Sequence, residues 1–325
     1  MGEHAPLALA ALCAAVMGLA IQRGATCTVA AMDELLTARR PTRLLAMLEA
    51  SIWVGGGVLL ARALGHAAPG ATGFALTGWT LAGAAVLGLG AVVNRACAFG
   101  TLARLGSGEW AYAATPLGFY LGVLSVDATF GPPAPQPLAG GSPVLLAPGW
   151  VLWSLGAAAA ARLVWAWHRR RGANGAEGPA WSPHAATAVI GITFVALLLL
   201  AGAWAYTDVL SDLADRMKTG VAAKLGPRLL LCAALLAGAV AGGAGAGQLR
   251  WQRPSMPTLL RCLAGGVLMG WGSLLIPGSN DGLILLGMPL LWPYAWAAFA
   301  AMCAVVAAAL AGPRWWVARG SRPAA

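Results

Sequence analysis

Long apolar runs separated by short polar connections make up most of the chain. A helix needs about 20 mostly apolar residues to cross a bilayer, and about nine runs approach that length. The predicted spans are 6–21, 44–64, 72–93, 110–125, 145–168, 185–206, 227–248, 258–276 and 289–311. The pattern therefore predicts an all-α polytopic membrane protein, in which the first and fourth spans are short.

The composition supports this prediction and removes several other classes of protein. Hydrophobic residues make up 59% of the 325 residues and charged residues only 10%, against about 25% charged residues in soluble domains. A soluble fold of this size could not bury so much apolar surface, which excludes an ordinary cytosolic enzyme. The net charge of +10 would suggest nucleic acid as a partner of a soluble chain, but here the arginines lie between apolar spans.

Basic residues cluster in alternate connections, and this predicts how the chain lies in the membrane. By the positive-inside rule these connections face the cytoplasm, so the N-terminus is expected outside and the C-terminus in the cytoplasm. The stretch 207–224 is then predicted as an outer connection. The cytoplasmic clusters contain Arg39, Arg40, Arg43, Arg169, Arg170, Arg171, Arg250, Arg253, Arg261, Arg314, Arg319 and Arg322. Four basic residues fall on the outer side, namely Arg62, Arg216, Lys218 and Lys224.

Three stretches share one spacing, in which a cysteine or a serine lies nine residues after a glycine. Each stretch begins at the end of an apolar span, breaks at polar or Gly/Pro residues, and resumes as a shorter helix-like run. The pairs are Gly18 with Cys27, Gly88 with Cys97, and Gly270 with Ser279. The short helices are predicted over Thr28–Leu36, Ala98–Leu105 and Gly282–Leu286. The sequence therefore predicts an internal repeat with short re-entrant helices.

The breaks in this repeat are the candidates for a binding site. Irregular backbone at membrane depth is tolerated only where it lines a cavity, and the first N–H groups of a helix attract anions. Repeats with broken helices mark the binding sites of transporters. An alternative interpretation is that these stretches are span ends with ordinary helix caps. The predicted substrate pathway consists of Cys27, Cys97, Ser279, Arg23, Arg95, Asn280, Asp281, Thr26 and Gly278.

Other ionisable residues and cysteines give weaker indications. Glu49 lies near membrane depth and is expected to pair with Arg43, while Arg162 is expected to extend to the interface. The other cysteines lie in or near apolar spans and are interpreted as buried small hydrophobes. The histidines show no metal-ligand spacing and no Walker A motif occurs, so no metal, cofactor or ATP hydrolysis is predicted.

Residues 18–31, 94–108 and 265–281 resemble signature elements of the YeeE/YedE family of sulfur-compound membrane transporters. The most specific element is Cys-Ala-Phe-Gly-Thr-Leu-Ala-Arg-Leu-Gly, residues 97–106. The resemblance extends over most of the chain and implies an hourglass-like bundle with internal pseudo-symmetry, in which short helices enter the membrane from both sides. It implies thiosulfate uptake across the bacterial inner membrane, with a small cytoplasmic sulfur carrier of the TusA-like type as a partner.

The resemblance also implies roles for individual residues. In that family, cysteines at the tips of the short helices pass thiosulfate inward through S–H···S hydrogen bonds, a role that the resemblance assigns to Cys27 and Cys97. Thiosulfate-uptake members have a third cysteine in the last element, where this chain has Ser279. A hydroxyl is a harder group than a thiol, and an ionised Asp281 facing the pathway would oppose a dianion. A relay with two thiols and transport of another sulfur species are therefore both open.

One membrane transport domain, 1–325, is expected. Its first half, 1–125, contains the two cysteine elements; 126–184 is a loop, a span and a basic cytoplasmic linker; and 185–325 contains the serine element. The expected function is uptake of a small sulfur-containing anion, first of all thiosulfate, by a protein that is not an enzyme. Two alternatives stay open: transport of an unrelated small solute past structural cysteines, and a thiol-dependent membrane sulfurtransferase or oxidoreductase.

Overall fold

Helices account for the regular secondary structure of the protein. The computed structural model describes residues 4–24, 26–66, 72–131, 134–138, 141–151, 181–220 and 225–320, with isolated positions between 153 and 164. In this part of the chain no β-strand occurs. The helices are α1 (His4–Gly24), α2 (Thr28–Ala38), α3 (Thr42–Ala63), α4 (Gly78–Asn94), α5 (Ala98–Gly106), α6 (Ala114–Phe130), α7 (Pro183–Ala201), α8 (Tyr206–Thr219), α9 (Leu225–Gly245), α10 (Met256–Leu275), α11 (Asn280–Gly282) and α12 (Pro293–Gly320).

Within the described residues, seven helical segments are long and apolar enough to cross a membrane, which confirms the predicted all-α, multi-span fold. The sequence predicts about nine spans, so the count differs. The fourth predicted span, 110–125, corresponds to α6, which has only 17 residues because the chain first forms a 3₁₀ turn over Trp110–Ala113. The fifth, 145–168, lies partly outside the described residues and is helical at the described positions from 149 to 158.

The helices repeat a three-part unit, in which a long helix is followed by a break, a short helix and a second long helix. The units are α1–α2–α3, α4–α5–α6, α7–α8–α9 and α10–α11–α12. Three of the short helices lie where the sequence repeat predicts them, and a π-helical turn, Leu283–Gly287, extends α11. The helix α11 begins two residues earlier than predicted because Ser279 already has the extended backbone of an N-cap.

The third unit corrects one sequence prediction. The stretch 207–224 is predicted as an outer connection, whereas most of it belongs to α8. This helix is capped by Asp208, whose carboxylate accepts the backbone N–H of Ala205 at 3.1 Å, and it ends at Gly220, where φ is 72°. Charged residues occupy much of the surface of α8, and only a narrow face, which includes Val209, is buried. The sequence of α8 is therefore not apolar enough to be predicted as a membrane span.

The short helices run from the centre of the bundle to opposite ends. At one end α1, α5 and α9 finish together, since Gln22 Nε2 donates to Ser107 Oγ at 3.3 Å and to Gln248 Oε1 at 3.0 Å. At the other end α8 and α6 finish together, since Lys218 Nζ lies 2.7 Å from Asp127 Oδ2. The cysteine-capped helices therefore lie in one half of the bundle, and α8 and α11 lie in the other.

The two ends differ in charge. We call the first the arginine-rich end, because it carries Arg39, Arg40, Arg43, Arg104, Arg250, Arg253 and Arg261. At the opposite end Lys218 pairs with Asp127, and Arg228 pairs with Asp212. Carboxylates thus pair with two cations at this end, as Glu34 and Glu109 pair with Arg43 and Arg104 at the arginine-rich end.

Glu49 has different partners from the one predicted. Its carboxylate lies 3.0 Å from Arg162 Nε and 2.5 Å from His184 Nδ1. The backbone N–H of Arg43 instead donates to Glu34 Oε2 at 3.1 Å. Glu49 and Arg43 are six residues apart on α3, so their side chains leave different sides of the helix. Arg162 binds this carboxylate, and the expectation that it extends to the interface stays a prediction.

Small residues bring α1 and α9 into backbone contact. A Cβ atom at Gly18 would lie 1.9 Å from the carbonyl oxygen of Leu235, and one at Gly238 would lie 1.8 Å from the carbonyl oxygen of Ala15. Neither clash can be relieved by turning a side chain, because the opposing atom belongs to the backbone. Such close approach lets membrane helices pack without a hydrophobic driving force.

This packing makes a prediction about stability. We expect Gly238→Ala to lower the midpoint of thermal unfolding of the purified protein, because overpacking a tight contact costs about 1–3 kcal/mol. Gly56→Ala is the matched control, since a Cβ at Gly56 would meet nothing within 4 Å. Equal midpoints for the two variants would show that the α1–α9 contact is not tight.

Candidate functional site

The three residues singled out by the sequence repeat occupy the same structural position. Cys27, Cys97 and Ser279 are the N-cap residues of α2, α5 and α11, and each has an extended backbone. None of the three side chains caps its own helix. Each side chain is therefore available for contacts with the other elements.

The two thiols contact each other's helix starts. The backbone N–H of Thr28 donates to Cys97 Sγ at 3.3 Å, and the backbone N–H of Cys97 donates to Cys27 Sγ at 3.5 Å. Cys27 is 7% exposed and Cys97 is 1% exposed. The starts of α2 and α5 are thus joined through sulfur, in a place closed to bulk solvent.

The start of α11 joins the same cluster. The hydroxyl of Thr28 donates to Asn280 Oδ1 at 3.3 Å. The hydroxyl of Ser279 donates to the carboxylate of Asp281, and both residues are buried. We call the place where these helix starts meet the neck, formed by Cys27, Cys97, Thr207, Ser279 and Asn280.

Thr207, on α8, is a neck residue that the sequence analysis missed. Its Oγ1 lies 2.6 Å from Ser279 Oγ and 2.9 Å from Asp281 Oδ1. Its neighbour Tyr206 donates its phenol to the carbonyl of Ala98, at the start of α5, at 2.8 Å. In the third unit the N-cap residue is Ala205, which has no reactive side chain, so the cysteine and serine pattern does not extend to this unit. The sequence does contain one signal for this site, since the polar pair Tyr206 and Thr207 follows directly after an apolar run.

A buried amide holds the break before Cys97 in place. Asn94, which is 0% exposed, donates its Nδ2 to the carbonyl of Ala96 at 2.8 Å and to Thr101 Oγ1 at 3.0 Å. Its Oδ1 accepts from Thr115 Oγ1 at 2.9 Å. Polar backbone in an apolar setting must find such partners, because each unsatisfied group costs several kcal/mol. Asn94 therefore positions the start of α5 without taking part in the neck itself.

A narrow cavity adjoins the neck. Cys97, Tyr206, Thr207, Ser279 and Asn280 line its polar side, and apolar side chains line the rest. It has room for about one water molecule, so the described conformation is closed to a larger anion. Among the described residues of this lining, one buried polar atom has no hydrogen-bond partner, Nδ2 of Asn280. This atom remains available to a ligand.

The structure separates some of the predicted site residues. Cys27, Cys97, Ser279, Asn280 and Asp281 come together at the neck, and Thr26 adjoins them in sequence. Gly278 lies in the break between α10 and α11, where its backbone N–H donates to the carbonyl of Ser273 at 2.8 Å. Arg23 is half-buried in the last turn of α1. Arg95 is exposed, because its left-handed backbone, with φ 60°, ends α4, and it lines a separate pocket at the arginine-rich end.

No built-in metal centre accompanies the neck. Over the residues that the structure describes, no group of three His, Cys, Asp or Glu side chains is placed to hold a metal ion. All six cysteines are free thiols. The neck offers hydrogen bonding by thiols, hydroxyls, an amide and helix-start N–H groups.

The sequence model of the family described as sulphur transport matches residues 23–308, which is most of the chain. The chain belongs to the sulphur transport family. The match includes all four short helices and every residue of the neck, so family membership applies to the site as well as to the bundle. The protein is a membrane transporter for sulfur compounds. Comparison with curated proteins finds no match.

The missed residue makes a prediction about the site. We expect Thr207→Val to lower the midpoint of thermal unfolding, because it removes a hydroxyl from a buried carboxylate, at a cost of about 1–3 kcal/mol. Thr207→Ser should restore the midpoint. Thr193→Val is the control, since the Thr193 hydroxyl bonds only to carbonyls of its own helix. A Thr207→Val protein as stable as this control would contradict the assigned contacts.

Proposed function

We propose that the protein carries thiosulfate into the cell, through the neck. The observation that supports this most directly is the reciprocal N–H···S contact of Cys27 and Cys97, at the starts of two short helices that face a third. Thiosulfate is a dianion with a polarisable terminal sulfur, and it needs both soft partners and N–H donors. Helix starts supply N–H donors with a partial positive charge, and thiols supply soft contacts.

The proposed passage exchanges hydrogen bonds one at a time. When the neck opens, the N–H groups of Thr28 and Cys97 turn from the cysteine sulfurs to the anion, and the thiols become donors to it. Sulfur is a weak acceptor and a thiol is a weak donor, so neither state is held strongly. The unpartnered Nδ2 of Asn280 offers a further donor for the anion's oxygens. Weak contacts in series suit conduction, because a ligand must leave as readily as it enters.

Ser279 makes the third step different from the first two. Its hydroxyl is already donated to Asp281, as part of a set that includes Thr207. The hydroxyls turn towards the carboxylate, which reduces its repulsion of an anion. The relay we propose therefore has two thiols and one hydroxyl. When the neck opens, the Ser279 hydroxyl turns from the Asp281 carboxylate to the anion, and Thr207 keeps its hydrogen bond to that carboxylate.

Uptake of thiosulfate labelled at its terminal sulfur tests this proposal, in cells that lack other sulfur importers. We expect Cys97→Ala and Cys27→Ala each to reduce initial uptake at least tenfold, which corresponds to about 1.4 kcal/mol on the barrier. Ser279→Cys should retain uptake, because a thiol can replace the hydroxyl as a donor. Cys13→Ala is the matched control, since Cys13 lies in α1, far in sequence from the neck.

The same experiment separates the alternatives. Unchanged uptake in both Cys27→Ala and Cys97→Ala would show that the two cysteines only pack in the fold, and would contradict the proposed relay. If well-expressed wild-type protein takes up no thiosulfate, the substrate is another sulfur compound. Turnover of thiosulfate by protein in detergent, without compartments, would indicate an enzyme.

The orientation that we propose places the arginine-rich end in the cytoplasm, in the bacterial inner membrane, with the N-terminus outside. It follows from the excess of arginine at one end. A TusA-like sulfur carrier is the proposed acceptor at the cytoplasmic end.

Cysteine labelling tests this orientation. We expect a membrane-impermeant maleimide to label Met217→Cys in intact spheroplasts, and Arg40→Cys only in inside-out vesicles, since both positions are exposed. Wild-type protein gives the background from native cysteines. The reverse pattern would invert the proposed direction of the bundle.

A further inference from the structure

A second polar pocket opens at the arginine-rich end, and the proposed transport mechanism makes no use of it. It has a volume of about 290 Å³, close to the lower end of the range of about 300–1,000 Å³ that is usual for small-molecule sites. We call it the arginine pocket. Its charged lining residues are Arg95, Arg104, Arg253, Arg261 and Glu109.

The only carboxylate in this lining is already engaged. Both oxygens of Glu109 accept hydrogen bonds from Arg104, at 2.9 and 3.1 Å. The remaining guanidinium groups of the lining, those of Arg95, Arg253 and Arg261, are therefore not balanced by a carboxylate within the pocket. Like charges gathered in one recess repel one another, and a bound anion relieves that repulsion.

Two of the arginines are held in fixed positions. The guanidinium of Arg104 lies 5.0 Å from the centre of the Tyr112 ring, and that of Arg261 lies 6.0 Å from it. Arg261 also donates to the phenol oxygen of Tyr112 at 3.2 Å. Burial raises the pKa of the Tyr112 phenol, so that side chain is neutral at physiological pH. The site is thus organised in advance, which lowers the cost of binding.

Uncharged donors complete the lining. The start of α10 contributes Ser255 and Thr258, and the first N–H groups of a helix have no partner within it. Among the described residues, two buried donors at this pocket have no acceptor: Nε1 of Trp110 and Nε of Arg261. A ligand that only accepts hydrogen bonds and carries negative charge fits this set.

We propose that the arginine pocket binds a small dianionic oxyanion of the sulfate or thiosulfate type, at a site separate from the neck. The guanidinium fork matches the paired oxygens of such an anion. Backbone hydrogen bonds fix the two walls relative to each other, since Arg250 N–H donates to the carbonyl of Ser107 at 3.0 Å and Gln252 N–H to that of Gly108 at 3.2 Å. Binding at this pocket does not depend on transport through the neck.

Calorimetric titration of the purified full-length protein in neutral detergent tests the proposal, with sodium thiosulfate and sodium sulfate as probes and sodium chloride at equal ionic strength as the blank. We expect saturable binding of both dianions to the wild type. Arg253→Gln and Arg261→Gln should each weaken it at least tenfold. Arg253 is exposed, so its substitution leaves the fold intact. Arg62→Gln, at the opposite end, is the matched control.

Binding at the neck and binding at the arginine pocket predict opposite results for the variants in this assay. Binding that survives Cys97→Ala and is weakened in Arg253→Gln locates the site in the pocket, whether or not thiosulfate uptake occurs. Binding that is lost in Cys97→Ala and kept in both arginine variants locates it in the neck and overturns the proposal.

A phospholipid headgroup presents the same oxyanion chemistry, so native mass spectrometry forms the second arm. Phospholipid retained by the wild type and lost from Arg253→Gln, with no heat from either dianion, would overturn the proposal in favour of a lipid site.

Discussion

Broken helices in a membrane need hydrogen-bond partners from the protein itself, because lipid offers none. Each unit of this bundle contains such a break, and each break is satisfied by a different local arrangement. Asn94 serves the second unit, and Asp208 caps the short helix of the third. In the first two units the cysteine sulfurs accept N–H groups from the neighbouring element. The neck is where these requirements meet.

This constraint also explains why sulfur suits these positions. A carbonyl or carboxylate would accept the same N–H groups strongly and fix them in place. A sulfur accepts them weakly. The closed arrangement therefore satisfies these backbone N–H groups with hydrogen bonds that can later be broken easily. One pair of residues therefore supports the fold in the closed state through contacts that are easily exchanged.

The helical bundle could be predicted from the sequence because its apolar runs are long, and three of the four short helices could be predicted because Cys27, Cys97 and Ser279 share one spacing. Thr207 could not, since Ala205 carries no chemistry at the equivalent position. Arg95 shows a different limit. It lies two residues from Cys97, yet a left-handed backbone directs the chain so that this side chain reaches another pocket. At a helix break, closeness in sequence therefore does not show that two side chains point into the same site.

The four units carry different side chains at equivalent positions, and this gives the neck two unlike faces. The helices that run to the arginine-rich end present thiols, whereas those that run to the opposite end present hydroxyls and a carboxylate. In the passage that we propose, the anion moves between a hard and a soft environment, and the order of the two depends on its direction of travel. The neck is in this way chemically polar along its axis, although the four units repeat one order of helices.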